Sequence, residues 1–97
     1  MELLTAELIE KLPRIGQTEH EDDAIVHCKF FTPDSGWTWY VLEYDGADLF
    51  FGLVVGLERE YGYFRLSELR SVRGALGLPV ERDLYFSPQR LSEVERG

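Results

Sequence analysis

Two apolar runs around a turn-forming segment dominate the hydrophobic pattern of this chain. They lie between Trp37 and Leu57, are rich in β-branched and aromatic residues, and flank Asp-Gly-Ala-Asp at residues 45–48. This pattern is typical of a β-hairpin, which we expect to form the central pair of an antiparallel sheet. A two-residue loop would set two acidic residues opposite each other. We therefore predict a four-residue loop with Tyr44 opposite Leu49.

Both faces of the first hairpin strand are largely apolar. The alternation places four residues on one face, namely Trp37, Trp39, Val41 and Glu43. It places the next four on the other, namely Thr38, Tyr40, Leu42 and Tyr44. Such a strand is expected either at the centre of a sheet covered on both sides or in a sheet that offers one face to a partner.

Three further segments alternate well enough to be strands, namely 24–31, 61–66 and 80–86. In the first of them, Cys28 is expected on the apolar face of Val26 and Phe30, as a buried and unreactive thiol. The last carries charged residues on one face, which is typical of an edge strand. The sheet is therefore predicted to have four or five strands.

Two short helices are predicted to pack on this sheet. One lies within residues 4–12, with Thr5 as its N-cap and Pro13 ending it. The other covers residues 68–73, with Ser67 as its N-cap. A weaker helical turn is expected at the C-terminus. The predicted fold class is thus α+β, a single small domain over residues 1–97 with an antiparallel sheet and short N-terminal and middle helices.

Length and composition agree with one soluble domain. A chain of 97 residues with 44% hydrophobic content can bury one modest core. No apolar run approaches the ~20 residues that a membrane-spanning helix needs. The acidic N-terminal region does not fit a signal peptide, and the single cysteine excludes an internal disulfide. We expect a cytoplasmic protein that does not contact a membrane.

The charge is strongly acidic and unevenly distributed. The net charge is −8; residues 1–60 hold 13 acids and 4 bases, and residues 61–97 hold 5 acids and 6 bases. Direct binding of nucleic acid is not expected, because attraction to phosphates dominates such binding. The acidity either serves solubility alone or forms a face that docks on a basic surface of another protein, and charge does not separate the two.

The residues predicted to bind a partner are acids and aromatics at the turns and strand ends of the hairpin. They are Asp34, Glu43, Asp45, Asp48, Glu58 and Glu60, with Trp37 and Tyr40 as aromatic anchors. A structural interpretation competes with this one, because turns are acidic in most proteins and tryptophans usually lie in cores.

A second acidic group, at residues 19–23, places four carboxylates around one imidazole. It lacks a histidine pair at helical spacing and the glycine of a calcium loop, so we expect a solvated loop with no metal, no cofactor and no catalytic residue. The alternative is an enzyme or metal-dependent factor that uses His20, Glu21, Asp23 and His27.

Several motifs carry a resemblance to a known family. The segments FFTPDSGWTWY, DLFFGLVVGLE and YGYFRLSEL, followed by Leu78-Pro79 and DLYF at 83–86, resemble a family of short bacterial and phage proteins classed as domain of unknown function 2958. The likeness runs from about Leu3 to Val94. It implies a place on plasmids, phages or integrative elements, often near anti-restriction or conjugation genes. It implies no activity and no catalytic residues.

Charge and resemblance together predict a non-catalytic binding protein of a mobile genetic element. We expect an inhibitor or decoy that acts on a host nucleic-acid-binding defence protein, of the anti-restriction or anti-CRISPR type, through a basic surface of that protein. A structural accessory of conjugation or plasmid maintenance is a further alternative. The chain is expected to be a monomer or a weak homodimer that pairs through the edge at 80–86.

Overall fold

The structure, a computed structural model, describes residues 1–96, so that Gly97, the last residue of the predicted 1–97 domain, lies outside the described residues. The helices and strands of the described chain are, in order, α1 Ala6–Lys11, β1 Ile25–Val26, β2 Cys28–Phe31, β3 Thr38–Tyr44, β4 Leu49–Val55, β5 Arg59–Arg65, α2 Leu66–Ser71, β6 Glu81–Arg82, β7 Gln89–Arg90 and α3 Leu91–Arg96.

The predicted α+β class with an antiparallel sheet is confirmed. Five strands pair in the order β5-β4-β3-β2-β6, and β1 pairs with β7 in a separate two-stranded ribbon. The segment predicted at 80–86 does lie at an edge, but its strand β6 has only two residues. It ends early because Asp83 starts a turn, in which its carbonyl accepts from the Phe86 N–H at 3.3 Å and its side chain accepts from the Tyr85 N–H at 2.9 Å.

The register of the central hairpin differs from the predicted one. Tyr44 stands opposite Phe50, not opposite Leu49. The reason is a β-bulge at Leu42, where one extra residue enters β3 between two regular stretches of pairing. The bulge also inverts the alternation of side chains beyond it. Glu43 is therefore turned away from the face of Trp39, whereas Tyr44 packs on that face, and the predicted faces are wrong for both residues.

The sheet buries apolar side chains on both of its faces. We define the first face by Phe30 and Phe50, both fully buried, and the second face by Leu53, which is 1% exposed. Helices α1 and α2 pack on the first face, whereas α3 packs on the second. Phe50 is the centre of the first core, because its ring contacts three further aromatic rings, with centroid distances of 4.6 to 5.6 Å. The central strands are thus covered on each side.

The strand predicted over 24–31 is interrupted at His27. Before it β1 pairs with β7, and after it β2 pairs with β3 and β6. Because of this interruption Val26 packs on the second face, while Cys28 and Phe30 pack on the first, so that the predicted common face is wrong for Val26. The prediction of a buried thiol is confirmed: burial raises the pKa of Cys28 to about 12.

The helix caps agree with the sequence at α1 and differ at α2. Thr5 caps α1 as predicted, since its hydroxyl accepts a hydrogen bond from the Leu8 N–H at 3.2 Å. Helix α2 covers 66–71 instead of 68–73, and its N-cap is Arg65 instead of Ser67. The Arg65 N–H donates a hydrogen bond to Glu68 Oε1 at 3.1 Å, and Ser67 lies inside the first turn.

Candidate functional site

The eight residues predicted to bind a partner lie in three separate places. Strands β3, β4 and β5 each have seven residues, so the two ends of the sheet are ~20 Å apart. The members at the end formed by the β2–β3 and β4–β5 turns are Asp34, Trp37, Glu58 and Glu60. Those at the opposite end are Asp45 and Asp48, and those on the second face are Tyr40 and Glu43. The structure therefore does not join all eight in one surface.

Trp37 is exposed and yet held in place. Its side chain is 43% exposed, and its ring stacks on that of buried Trp39, with centroids 6.2 Å apart and planes 25° apart. The ring also packs against Gly56, where a Cβ atom would lie only 2.4 Å from it. A glycine is required here, because any side chain would displace the indole. The β4–β5 turn and Trp39 thus fix the orientation of Trp37.

A groove of about 280 Å³ runs beside Trp37. It is lined by Trp37, Val54, Leu57, Glu58 and Glu60. Leu57 is 98% exposed although it is apolar, and both glutamates are exposed. We call Trp37, Leu57, Glu58 and Glu60 the Trp37 surface. It combines a fixed aromatic ring and an aliphatic side chain with two carboxylates, which suits a partner that is apolar and basic at neighbouring positions.

A second groove, of about 470 Å³, also borders Trp37. Its walls come from the 32–37 turn and from the segment after α2, and they include Trp39, Val72 and Arg73. The Arg73 guanidinium donates to the carbonyls of Arg70 at 2.9 Å and Val72 at 2.8 Å, so it closes the end of α2.

Asp34 connects the two walls of this second groove through hydrogen bonds. Its Oδ2 accepts from the N–H groups of Leu76 at 2.7 Å and Leu78 at 3.1 Å. Its Oδ1 is buried against Gly74, where a Cβ atom would lie 1.5 Å from it. The carboxylate therefore fixes the 74–78 loop, a structural role that the turn composition alone did not reveal.

The two aspartates of the hairpin turn also have structural partners. Asp45 Oδ1 accepts from the N–H groups of Ala47, Asp48 and Leu49 at 2.8 to 3.0 Å, and these bonds lower its pKa. Asp48 accepts from the Ser67 hydroxyl at 2.7 Å and the Ser67 N–H at 2.8 Å, which lowers its pKa as well. Asp48 thus stabilises the first turn of α2 from outside that helix.

Glu43 is almost completely buried, with 3% of its surface exposed, on the second face of the sheet. Its carboxylate accepts from the Gly16 N–H at 2.8 Å, the Thr18 N–H at 2.9 Å and the Thr18 hydroxyl. Burial raises the pKa of Glu43, but these bonds lower it by more, and the net shift is downward. The side chain is therefore ionised at neutral pH and ties the bulged strand to the loop after α1.

The bulge points Glu43 into a cleft of about 380 Å³, which we call the second-face cleft. The other residues of its wall are mainly apolar or aromatic, with two exposed acids at its border. They are Gly16, Thr18, Glu19, Glu21, Ala24, Leu42, Phe51, Tyr61, Tyr63 and Leu91. Tyr61 also donates from its hydroxyl to Glu95 Oε2 at 2.7 Å, and its pKa is raised to about 12 by burial and by this acceptor.

Tyr40, the second predicted aromatic anchor, packs within the protein. Its ring is half-buried, lies 6.2 Å from that of Phe86, and has Lys29 Nζ at 5.7 Å from its centroid. Lys29 in turn pairs with Asp83 at 3.7 Å. Tyr40 thus belongs to the second core and its border.

The metal alternative finds no geometric support in residues 1–96, which contain no group of three or more His, Cys, Asp or Glu side chains that could hold a metal ion. Asp23 instead accepts from the Ser92 hydroxyl at 2.6 Å and the Ser92 N–H at 2.9 Å, which lowers its pKa and stabilises the start of α3. His20 is exposed, while burial lowers the pKa of half-buried His27. Within residues 1–96, His20, Glu21, Asp23 and His27 are thus not brought together as a group that could hold a metal ion.

Sequence reasoning missed Leu57. The signal was present, because Leu57 is an apolar residue in a turn between a glycine and a run of charged residues, where nothing in the chain would bury it. The exposed turn leucine and the exposed tryptophan together form an apolar patch that the acids alone do not indicate.

Comparison with known proteins gives one match. A profile of the family described as "Protein of unknown function (DUF2958)" matches residues 3–94. No curated protein and no solved structure shows significant similarity to the chain. Within residues 1–96, no helix has both the length and the apolar character needed to cross a membrane.

Proposed function

The chain belongs to the DUF2958 family of proteins of unknown function, and from this premise we propose that it is a small acidic protein-binding module that acts without catalysis. In this proposal it serves a mobile genetic element in the bacterial cytoplasm. It acts there as an inhibitor or decoy of a host nucleic-acid-binding defence protein, of the anti-restriction or anti-CRISPR type. The family resemblance supports the genetic setting, and the surface chemistry supports the mode of action.

The observation that carries the proposal is the Trp37 surface. A tryptophan that is 43% exposed is held by contacts with Trp39 and Gly56, next to an almost fully exposed Leu57 and two exposed glutamates. A rigid aromatic ring loses little entropy when a partner covers it, and tryptophan is the residue most enriched at interface hot spots. Truncation of such an anchor typically costs about 2 kcal/mol or more of binding free energy.

Charge determines the kind of partner. With a net charge of −8, the chain attracts basic macromolecules and repels nucleic acid. A basic protein surface that normally contacts nucleic acid is a suitable target, because it is built to meet a dense row of negative charges. Contacts between exposed charges are screened by salt, so binding should weaken as ionic strength rises.

The proposal is tested by capture from a bacterial host lysate at ~0.05 M and ~0.5 M salt, where the Debye length falls from over 10 Å to a few Å. We expect the wild type to capture a basic nucleic-acid-handling protein, less of it at high salt, and Trp37→Ala to lose it. Tyr85→Ala is the matched control, because Tyr85 is an aromatic residue that is 98% exposed elsewhere. Capture that ignores salt, or equal capture by Trp37→Ala and Tyr85→Ala, contradicts the proposal.

A structural accessory of conjugation or plasmid maintenance would use the same surface. The identity of the captured protein separates the two roles, since an accessory would be captured with conjugation or replication proteins of the element instead of host defence proteins.

A further inference from the structure

Strand β5 is a long open edge of the sheet. It has seven residues, Arg59–Arg65, and within residues 1–96 it pairs on one side only, with β4. The opposite edge, β6, has two residues and is covered by the N-terminal segment. There the Arg82 guanidinium donates to the carbonyls of Glu2 at 3.0 Å and Leu3 at 2.8 Å.

The alternation of hydrogen-bonded and non-hydrogen-bonded residues along β5 shows which of its backbone groups are unpaired. The Leu66 N–H donates to the Asp48 carbonyl at 2.8 Å, in the same register as the β4–β5 pairs. In an antiparallel pair, hydrogen-bonded and non-hydrogen-bonded residues alternate. Gly62 therefore points its backbone groups toward β4. The N–H and C=O groups of Tyr61 and Tyr63 point outward, and neither N–H has an acceptor within the described chain.

Although β5 carries charged residues, three other devices that protect a sheet edge are missing from it. Its seven pairs with β4 run without a bulge, and the segment contains no proline and no lysine. Gly62 at its centre has no atom within 4 Å of where a Cβ would be, so the edge is also free of bulk on the first face. Such an edge is a template for one more strand.

Between Arg59 and Arg65, which stand at its two ends, the side chains beside this edge favour a cationic strand. On the second face, Tyr61 and Tyr63 are 47% and 63% exposed and form part of the second-face cleft, which also holds the buried, ionised Glu43. Tyrosine rings next to carboxylates attract guanidinium and ammonium groups. On the first face, Glu60 stands on the strand itself, where a cation directly opposite would stabilise the pairing.

We propose that the β5 edge receives an extended, basic segment of a partner protein as a sixth, antiparallel strand, whose cationic side chains contact Tyr61, Tyr63 and Glu60. This inference goes beyond the proposed function, whose Trp37 surface shares Glu60 with this edge but does not need the β5 backbone. A second copy of the chain is the wrong occupant, because each copy carries a charge of −8. Symmetric pairing about Gly62 would also set Arg59 opposite Arg65 of the other copy.

The test uses the hexapeptide Thr-Arg-Val-Arg-Lys-Thr, in which the arginines would stand opposite Tyr63 and Tyr61 and the lysine opposite Glu60. Amide hydrogen exchange by NMR is measured on the whole chain with and without about 1 mM peptide, a concentration suited to a weak complex. We expect the Tyr61 and Tyr63 amides to exchange at least about tenfold more slowly with the peptide. A peptide with glutamate at its three basic positions should give no protection.

Two variants separate pairing through the backbone from simple charge attraction. Tyr63→Pro removes one outward N–H but no bond to β4, so the fold should persist and the peptide should no longer protect Tyr61. Tyr63→Thr loses the same ring but keeps the N–H, so it should retain part of the protection at Tyr61. N-methylation of the two arginine amides of the peptide removes the same kind of bond without changing the protein. The peptide test is read at the Tyr61 and Tyr63 amides and the capture test at the Trp37 side chain, so failure of one leaves the other proposal standing.

Three results would overturn the inference. The first is absence of protection at either tyrosine amide. The second is equal protection by the basic, acidic and N-methylated peptides. The third is a free protein that sediments as a dimer with both amides already protected, which would assign the edge to a second copy.

Discussion

Removal of the Glu43 side chain should destabilise the protein far more than removal of an exposed carboxylate. In Glu43→Ala, the Thr18 N–H and hydroxyl lose their acceptor while Thr18 stays buried at 9% exposure, whereas Gly16 lies at the surface and water can replace its lost bond. Each buried polar group left without a partner costs about 1–3 kcal/mol. Two such groups give an expected loss of about 3 kcal/mol in the free energy of unfolding.

Urea unfolding followed by tryptophan fluorescence measures this loss. Glu60→Ala is the control, because Glu60 is an exposed acid without a hydrogen bond among the described contacts, and its removal should change stability by no more than about 0.5 kcal/mol. Glu43→Gln keeps one acceptor oxygen and should lie between the two. If Glu43→Ala unfolds at the same urea concentration as Glu60→Ala, the bonds of Glu43 do not hold the 14–18 loop and the reasoning is refuted.

The same residue predicts a pH dependence of stability. The folded-state pKa of Glu43 is lower than its unfolded value, so its ionised form stabilises the fold above the unfolded pKa of about 4.3, and this contribution disappears as pH falls through the folded pKa. The stability difference between wild type and Glu43→Gln should therefore shrink between pH ~5 and pH ~3. A difference that stays constant over this range would contradict the assignment of a lowered pKa.

Three further outcomes are expected. Because its pKa is raised to about 12 by burial, the Cys28 thiol should not react with a thiol reagent near pH 8 until the protein is unfolded; fast reaction of the native protein would show that the site opens. Gly52→Ala should lower the free energy of unfolding by several kcal/mol or prevent folding, since its Cβ would lie 1.9 Å from a backbone carbonyl oxygen of β3. Gly62→Ala has open space at its Cβ and should stay within about 1 kcal/mol of the wild type. Equal effects of the two variants in thermal melts would contradict this. Because the folded-state pKa of Asp48 is lowered, the melting temperature should fall as pH drops through that pKa. Asp48→Asn should abolish this part of the pH dependence. An unchanged profile would mean that the Asp48 carboxylate does not stabilise α2.

Local patterns in the sequence were sufficient for the main features of the fold. The two apolar runs and the turn at 45–48 specified the hairpin, and Thr5 specified the start of α1. The features that were missed depend on residues far apart in the chain. Asp48 caps α2 from 19 residues away and Asp23 caps α3 from 69 residues away, so no local rule contains either contact.

The bulge at Leu42 was the most consequential feature that alternation could not show. Strict alternation assumes that each residue of one strand stands opposite one residue of its neighbour. A single inserted residue moves every later side chain to the opposite face. This is how Glu43 comes to lie on the second face, where it is buried and ionised. The bulge has no distinctive residue at its position, since Leu42 suits a regular strand equally well.

The division of the acidic residues between two ends of the sheet could have been predicted. Successive turns of an antiparallel meander lie at opposite ends, which separates Asp45 and Asp48 from Glu58 and Glu60. The position of Trp37 was harder to foresee, because its exposure depends on how Trp39 and Gly56 pack around its ring.

The most direct test of the Trp37 surface compares two charge reversals of equal size. Glu58→Lys with Glu60→Lys alters that surface, whereas Glu7→Lys with Glu10→Lys makes the same change of net charge at exposed positions of α1. The measured quantity is the dissociation constant for the purified captured protein. The first pair should weaken binding at least about tenfold, and the second should leave it within about threefold of wild type. Equal weakening by both pairs, or none by the first, would show that the Trp37 surface is not where the partner binds.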